Sequence, residues 1–299
     1  PGGEQASMKL TGPRHLHPSS VGMLCGSETP EHVKVGLTKH LALIASITIM
    51  SRDQYSLLKE YLYKNTTSIL TISISELRNY DTYKVFLNGD WIGITKKYVE
   101  LESEMTKLKL SGFFDQKNVS IIIDHDESEI RVYCDSGRLY RPILRVEDNQ
   151  IVLTNKQIDS ISLNKSDKAT KVTGWDEFTL KYTNSIEYIC MELQPYILIA
   201  HKPKVIKAMK EQMENSLKVK GNSENIINRY DESFYLKYTH CEIHTSLLLG
   251  EIITNISFID CNQAPRVMFA YAQGRQAMGM FATNYRSRLD NSFILYNPQ

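Results

Sequence analysis

The sequence predicts a mixed α+β fold with more strand than helix. Two hairpin patterns indicate the strands. In YKVFLNGDWIGI (83–94), Asn88 and Gly89 lie between two apolar runs, and both residue types tolerate the positive φ of a tight turn. Residues 119–133 form a second such pattern around the polar stretch DHDESE. Apolar residues at helical spacing indicate the helical part.

The elements follow from local patterns taken in chain order. Residues 1–32 are rich in Gly, Pro, Ser and His and predict loop. Strands are predicted where apolar or β-branched residues run or alternate, at 33–49, 68–74, 83–94, 119–133 and 141–153. Helices are predicted at 52–63, 96–110, 203–217 and 267–281, the second of them on the surface. Polar stretches predict linkers at 163–171 and 218–229, and residues 236–258 are expected to be buried.

Composition narrows the class of protein. The chain has 299 residues, 42% of them hydrophobic and 23% charged, and a net charge of +1. Nucleic-acid-binding modules that act alone are usually more basic, so a simple polyanion-coating role is disfavoured. No apolar run is long enough for a membrane span. Because the sequence starts at Pro1 in a loop-like stretch, we expect an internal fragment of a longer polypeptide.

The cysteines indicate a reducing compartment. Five cysteines are widely spaced, and no C-x-x-C pair occurs. We therefore expect free thiols.

Three clusters of polar residues allow more than one interpretation. DHDESE (124–129) is compatible with cation binding or acid–base chemistry, but a solvated hairpin tip is favoured because catalytic carboxylates need a water-excluding pocket. His240 and His244 in THCEIH are spaced for zinc on a helix, although burial in the core is favoured. His15 and His17, next to Arg14 in RHLH, fit either loop scaffolding or contact with a polyanion.

The segment NQAPRVMFAYAQGRQAMG (262–279) carries two arginines and no acidic residue. Pro265 disfavours helix at the residue before it, so Arg266 is expected near the start of a helix, where backbone N–H groups favour anions. Arg275 and Gln276 follow on the same helix. An external anion and an ion pair with distant carboxylates remain equally compatible with these residues.

Four stretches in order resemble one family. CEIHTSLLLGEIITNISFIDCNQAPRVMFAYAQGRQAMG (241–279) resembles the signature region of the second-largest subunit of multisubunit DNA-directed RNA polymerases. The N-terminal PGG and RHLHPSSVGMLCGSETPE (14–31) resemble its fork region. VFLNGDWIG (85–93) and SGRLYRPILRVED (136–148) resemble the external region of archaeal and eukaryotic members. Because four motifs occur in the same order as in the family, a chance resemblance is disfavoured.

The resemblance implies roles for individual residues. Arg266 matches the catalytic arginine that reaches the triphosphate of the incoming nucleotide. Arg275 and Gln276 match residues beside the growing RNA end, and Asn262 and Gln263 match the loop that supports them. Arg14, His15 and His17 match the part of the fork close to DNA and the DNA–RNA hybrid.

The resemblance also implies partners and a cofactor. The expected partners are the largest subunit and other polymerase subunits, template DNA, the RNA transcript and nucleoside triphosphates, with no membrane. The resemblance implies that Mg²⁺ is held by the largest subunit. Because no Asp-x-Asp-x-Asp occurs in this sequence, no metal site is expected on this chain. The alternative function is a nucleic-acid-binding or structural scaffold module without a catalytic contact.

The implied organisation has four parts: a fork region (1–44), an external domain (45–150), a connecting part with mobile loops (151–236) and the start of a hybrid-binding domain (237–299). Departures from the family pattern suggest a large cytoplasmic DNA virus, hence the host cytoplasm or virion, and otherwise the nucleus or cytoplasm. His32 stands where the family has Gly, so a positive φ there would be strained. Phe269 stands where related enzymes often have Tyr.

Overall fold

The computed structural model describes residues 11–49, 51–73, 82–159, 175–182, 184–220 and 237–283, without the side chains of 176, 213–220 and 278–283. The chain divides into two compact units. Unit 1 combines 1–44 with 246–299, and unit 2 is the continuous stretch 45–245. The four-part division drawn from the resemblance stays a prediction.

Unit 2 contains a five-stranded sheet in the order β2–β4–β3–β6–β5. Its strands are β2 (Thr67–Ser68), β3 (Tyr83–Leu87), β4 (Asp90–Thr95), β5 (Ser120–Asp124) and β6 (Glu129–Tyr133). All pairs are antiparallel except β3 with β6. Both predicted hairpins are confirmed. At the first turn Asn88 and Gly89 have φ of 50° and 91°.

Two helices cover this sheet: α1 (Arg52–Asn65) and α2 (Tyr98–Leu110). Leu58 and Leu62 of α1 and Leu101 and Met105 of α2 are almost fully buried in a core shared with the strands. Both helices are confirmed, and α2 is a surface helix with an exposed face that includes Glu100, Glu104 and Lys107. One of its faces enters the core, and even Lys109 is 3% exposed.

A second, six-stranded sheet in unit 2 is centred on the long strand β7 (Leu139–Glu147). Its other strands are β1 (Ser46–Ile47), β8 (Gln150–Ile151), β9 (Ile186–Cys190), β10 (Ile199–Ala200) and β11 (His240–Cys241). The helices α3 (Asn155–Asp159), α4 (Trp175–Lys181) and α5 (Pro203–Lys220) belong to the same part of the chain. Phe178 of α4 and Ile206 of α5 join the second core. The strand prediction at 141–153 and the helix prediction at 203–217 are confirmed.

Unit 1 is built from turns and one long helix, α6 (Ala264–Thr283). Cys25, Ile253, Val267 and Tyr271 form its core. Short 3₁₀ turns connect the remaining described residues, as the loop-rich composition predicted. Leu43 and Ile44 donate backbone hydrogen bonds to Leu249 and Leu247, at 2.9 and 3.3 Å.

Several expectations are wrong. Residues 33–49 do not form one strand; only Ser46–Ile47 is extended in a sheet, because Gly36, with a positive φ of 73°, turns the chain. Residues 69–71 form a 3₁₀ turn in place of a strand. Phe258 lies in a stretch expected to be buried but is 79% exposed. Helix therefore exceeds strand among the described residues, within the predicted α+β class. The linker predicted at 163–171 lies outside the described residues, as does 221–229 of the linker predicted at 218–229. Residues 218–220 of that stretch belong to α5 instead.

Candidate functional site

Helix α6 begins at Ala264, three residues before the predicted start and at the position before Pro265 where helix was disfavoured, but Arg266 lies in its first turn as predicted. The carbonyl of Gln263 accepts hydrogen bonds from the N–H groups of Arg266 and Val267, at 3.0 and 3.2 Å. Proline has no N–H to offer. The first turn therefore has few free backbone donors, and anion binding at this end of the helix depends on side chains.

Arg266 is the charged side chain of that first turn. Its residue is exposed, and no carboxylate among the described residues pairs with its guanidinium at ion-pair distance. An ion pair with a carboxylate distant in sequence, one of the two interpretations above, is not present in the described part of the chain. The guanidinium, with five N–H donors, is available to an external anion.

Asn262 supports the turn that leads into α6. Its Nδ2 group donates to the carbonyls of Ser257 and Phe258, at 3.0 Å each. Phe258 has a left-handed backbone with a φ of 51°, and these hydrogen bonds hold the turn that follows. Asn262 is exposed, and its side-chain amide holds the backbone of this turn. Gln263 contributes the carbonyl that begins the helix.

Arg275 lies two and a half turns further along α6. Its Nη1 lies 3.3 Å from the hydroxyl of Tyr271, which in turn lies 2.9 Å from Nε2 of His40. Tyr271 is 2% exposed, whereas Arg275 and Gln276 are exposed.

The helical repeat separates the two arginines. Nine residues correspond to a rotation of about 180° from each other and about 14 Å along the axis. Arg266 and Arg275 therefore flank the buried face of α6 on opposite sides. Gln276 lies closer in angle to Arg266, about 80° away. One small anion cannot engage both arginines.

Arg14 is used within its own loop. Its Nη1 donates to the carbonyls of Val33 and Val35, at 2.7 and 2.9 Å. A Cβ atom on Gly36 would clash with the Arg14 backbone, so a glycine is required at this close approach. These contacts support the loop-scaffolding interpretation for Arg14, and contact with nucleic acid stays a prediction.

The two histidines of the loop differ. Nδ1 of His17 accepts a hydrogen bond from the backbone N–H of Ser19 at 3.3 Å, so His17 caps a short turn. His15 is exposed. His17 is also exposed and takes part in the loop scaffold, and the DNA-proximal roles predicted for both histidines stay predictions.

Glu28 joins the N-terminal loop to the segment before α6. Its side chain is buried, and Oε1 accepts from the backbone N–H groups of Ile252 and Ile253, at 2.9 and 3.0 Å. Gly250 lies directly against the carboxylate, where a Cβ atom would clash. Glu28 therefore holds the N-terminal loop against the segment before α6.

The remaining clusters are structural. Asp124 and Glu129 of DHDESE pair with Arg131, each at 3.0 Å, while the tip residues between them are exposed or half-buried. In THCEIH only His240 and Cys241 are in a strand, and none of its residues is in a helix. Nε2 of His240 lies 3.2 Å from Oε2 of Glu187. No group of three or more His, Cys, Asp or Glu residues that could hold a metal occurs in the described ranges.

A cavity of about 690 Å³ lies in unit 2. Apolar side chains such as Trp175, Phe178 and Ile206 dominate its walls, and Lys207 and Lys210 are its charged lining residues. It contains none of the predicted site residues. In the part of the chain that is described, no helix is both long and apolar enough to cross a membrane.

Comparison with known proteins identifies the family. Residues 1–47 match the family model of RNA polymerase Rpb2, domain 3, and residues 85–147 match that of RNA polymerase Rpb2, domain 4. The chain is 36% identical to DNA-directed RNA polymerase subunit 2 of Acanthamoeba polyphaga mimivirus, over 99% of this chain and 24% of the relative. The chain belongs to the Rpb2 family. The predicted resemblance is confirmed.

Other Rpb2 relatives are eukaryotic. DNA-directed RNA polymerase II subunit RPB2 of Encephalitozoon cuniculi is 37% identical over 97% of this chain and 23% of its own length. DNA-directed RNA polymerase II subunit 2 of Arabidopsis thaliana is 35% identical over 97% and 22%. The chain thus spans about a quarter of the length of the Rpb2 relatives it matches.

His40, Tyr271 and Gly250 make contacts that no local sequence pattern indicates. Their contacts join residues that are more than two hundred positions apart. For Tyr271 the sequence does offer one indication. It lies four residues after the apolar Val267, on the same face of the predicted helix, and this spacing predicts that Tyr271 is buried but not which group its hydroxyl contacts.

Proposed function

We propose that the chain is part of a DNA-dependent RNA polymerase and that Arg266 binds the triphosphate of the incoming nucleotide. The observation that carries the proposal is the exposed guanidinium of Arg266 at the start of α6. It has no carboxylate partner among the described residues, and the sequence of α6 contains no acidic residue. Membership in the Rpb2 family supports the polymerase role.

The chemistry favours arginine at such a position. A triphosphate carries several negative charges, and further charge develops on the pyrophosphate as it leaves. A guanidinium stays ionised and can donate to two phosphate oxygens at once. Arginines that stabilise such charge contribute about 10³-fold or more in other phosphoryl-transfer enzymes.

The test is Arg266→Ala in the complete, assembled polymerase. We expect kcat/KM for nucleoside triphosphates to fall by about 10³-fold while binding of the DNA–RNA scaffold is retained. Arg52→Ala is the matched control, because Arg52 is also an exposed arginine in the first turn of a helix. Elongation kinetics that Arg266→Ala leaves unaltered across nucleotide concentrations would refute the role.

For the far end of α6 we propose contact with RNA. Arg275 and Gln276 are exposed, and donors there can hold phosphates of the RNA strand so that its 3′ hydroxyl faces the nucleotide. The loop with Arg14, His15 and His17 is proposed to lie near DNA and the hybrid. A photoreactive nucleotide at the RNA 3′ end is expected to crosslink near Gln276.

The second candidate is a nucleic-acid-binding or structural scaffold without a catalytic contact. The hydrogen bonds of Arg14 and His17 within their own loop favour it for that part of unit 1. It predicts association with nucleic acid or protein that does not depend on Arg266 or Gln276, and no crosslink at Gln276.

The proposed polymerase needs partners that supply what this chain lacks. We propose that Mg²⁺ is held by the largest subunit, since the described residues here offer no cluster of metal ligands, and no step above passes through a metal on this chain. The other proposed partners are further polymerase subunits, template DNA and transcript. Given a viral relative, the proposed location is host cytoplasm or virion.

A further inference from the structure

The hydroxyl of Tyr271 joins an exposed arginine to a histidine from a distant part of unit 1. It lies 3.3 Å from Nη1 of Arg275 and 2.9 Å from Nε2 of His40. The rings of His40 and Tyr271 meet edge to face, with centroids 5.7 Å apart. The backbone of His40 is itself fixed, because its carbonyl accepts from the N–H of Cys25 at 2.9 Å.

The donors and acceptors define the direction of these hydrogen bonds. Arginine can only donate, so the oxygen of Tyr271 accepts from Arg275. The hydroxyl proton of Tyr271 is buried and needs an acceptor. Nε2 of His40 is the acceptor within reach among the described residues. The arrangement is therefore Arg275 to Tyr271 to His40, with the proton of the neutral imidazole on Nδ1.

We propose that His40 and Tyr271 are positioning residues that orient Arg275 for a phosphate of the RNA strand. A free arginine side chain loses rotamer entropy when it is immobilised. Tethering one N–H of Arg275 meets part of that cost before the ligand arrives, and four of its five N–H groups remain for phosphate oxygens.

The position of Tyr271 explains why the tether serves Arg275 and not Arg266. Tyr271 is one turn before Arg275, so their side chains are neighbours on the helix. Arg266 lies on the opposite side of the buried face and has no such contact among the described residues. One arginine is held, whereas the other is free to follow a nucleotide that enters and leaves.

The role in RNA binding rests on the proposed function, but the tether itself is testable without RNA. In the assembled polymerase, we would measure the rate at which phenylglyoxal modifies each arginine, by mass spectrometry. Tyr271→Phe removes the hydroxyl and keeps the ring. We expect modification of Arg275 to accelerate about three- to tenfold, the equivalent of one hydrogen bond, with Arg266 unchanged as the internal control.

His40 provides the rescue test. His40→Leu removes the acceptor and is expected to accelerate modification of Arg275, whereas His40→Gln, with an amide oxygen as acceptor, is expected to restore the slow rate. A purely structural role of the ring would leave the rate at Arg275 unaffected by Tyr271→Phe. An unchanged rate in that variant overturns the proposal.

The second readout is the affinity of the polymerase for the RNA strand in a primer-extension assay. Tyr271→Phe is expected to raise the KM for the RNA primer about three- to tenfold, with the nucleotide KM unchanged. Combined with Arg275→Ala, it should add nothing further, because the two changes remove one contact. If Tyr271→Phe accelerates modification of Arg275 but leaves the primer KM unchanged, the tether is upheld and the RNA contact is refuted. If the increases in primer KM from Tyr271→Phe and Arg275→Ala are additive in the double variant, the positioning role is overturned.

Discussion

At the scale of single residues, His32 has a left-handed backbone conformation with a φ of 61°. This conformation costs a non-glycine residue about 1–2 kcal/mol. The side chain of His32 is 89% exposed, and its Nε2 lies 3.8 Å from a carboxylate oxygen of Glu31, an exposed contact that contributes little. The backbone strain that was predicted at this position, where the family has glycine, is thus present. It lowers the stability of the folded protein locally.

His32→Gly should therefore stabilise the protein. Relief of the left-handed strain exceeds the extra entropy that glycine gives the unfolded chain, which is about 0.4–1 kcal/mol. We expect a gain of up to about 1 kcal/mol in the free energy of unfolding, measured by urea denaturation. Lys34→Gly, an exposed change in the same turn, is the control and should destabilise.

Gly250 is needed for a different reason. A side chain there would displace the carboxylate of Glu28, which accepts from two backbone N–H groups. Gly250→Ala should lower the free energy of unfolding by about 2 kcal/mol or more, because both buried donors lose their partner. Gly12→Ala, with nothing within 4 Å of the added Cβ, should be tolerated in the same denaturation experiment. Equal effects of the two substitutions would contradict this role of Glu28.

Residues of this kind mark the limit of sequence reasoning. The hairpin at Asn88-Gly89 was predictable because turn chemistry acts between neighbours. Arg266 was predictable from a local pattern and a resemblance. Gly250 was not, since its constraint comes from Glu28, and the hydroxyl of Tyr271 meets a histidine 231 positions away. Sequence periodicity shows that a face is buried but not which polar group it meets.

At the scale of elements, the sheet centred on β7 gathers charge in its interior. His240 on β11 lies opposite Arg145 on β7, and Glu187 on β9 contacts both, at 3.2 and 3.6 Å. Burial alone raises the pKa of a carboxyl group, but the hydrogen bond from His240 and the positive charges of Lys109, His240 and Arg145 outweigh it. They lower the pKa of Glu187 from 4.5 to about 2.

This shift makes stability depend on pH. Because the folded pKa lies below the unfolded value, the stabilisation is complete above pH 4.5 and is lost as the pH falls through about 2. We expect Glu187→Gln to lower the free energy of unfolding by up to about 3 kcal/mol at pH 7, with a smaller difference from wild type at pH 3. Glu147→Gln, on the same arginine but 58% exposed, should have little effect at either pH.

The strand prediction at 33–49 was wrong because it was based on apolar composition alone, without a regular spacing of apolar residues. Residues 33–49 contain many apolar side chains, yet they neither alternate nor repeat at helical spacing. Leu41, Leu43 and Ile47 are exposed, so this run does not enter the core as a strand. Helices α1, α5 and α6 were predicted correctly because several turns of regular spacing outweigh any single residue.

At the scale of the whole molecule, unit 2 is continuous whereas unit 1 is made of two distant segments. The backbone hydrogen bonds from Leu43 and Ile44 to Leu249 and Leu247 join the two segments of unit 1. They lie close to residues 44 and 246, where the first segment ends and the second begins. Unit 2 contains two hydrophobic cores of its own, and the core of unit 1 draws on both segments.

Residues 45–245 should consequently fold when produced alone, with one or two cooperative transitions in urea and protected amides in β3 and β6. Residues 246–299 alone should not, because Val267 and Tyr271 lose Cys25, and the N–H groups of Ile252 and Ile253 lose Glu28. Joining 1–44 to 246–299 through a short Gly/Ser linker should restore the helical circular dichroism of α6. Stable helix in 246–299 without the N-terminal segment would show that the two segments of unit 1 do not depend on each other.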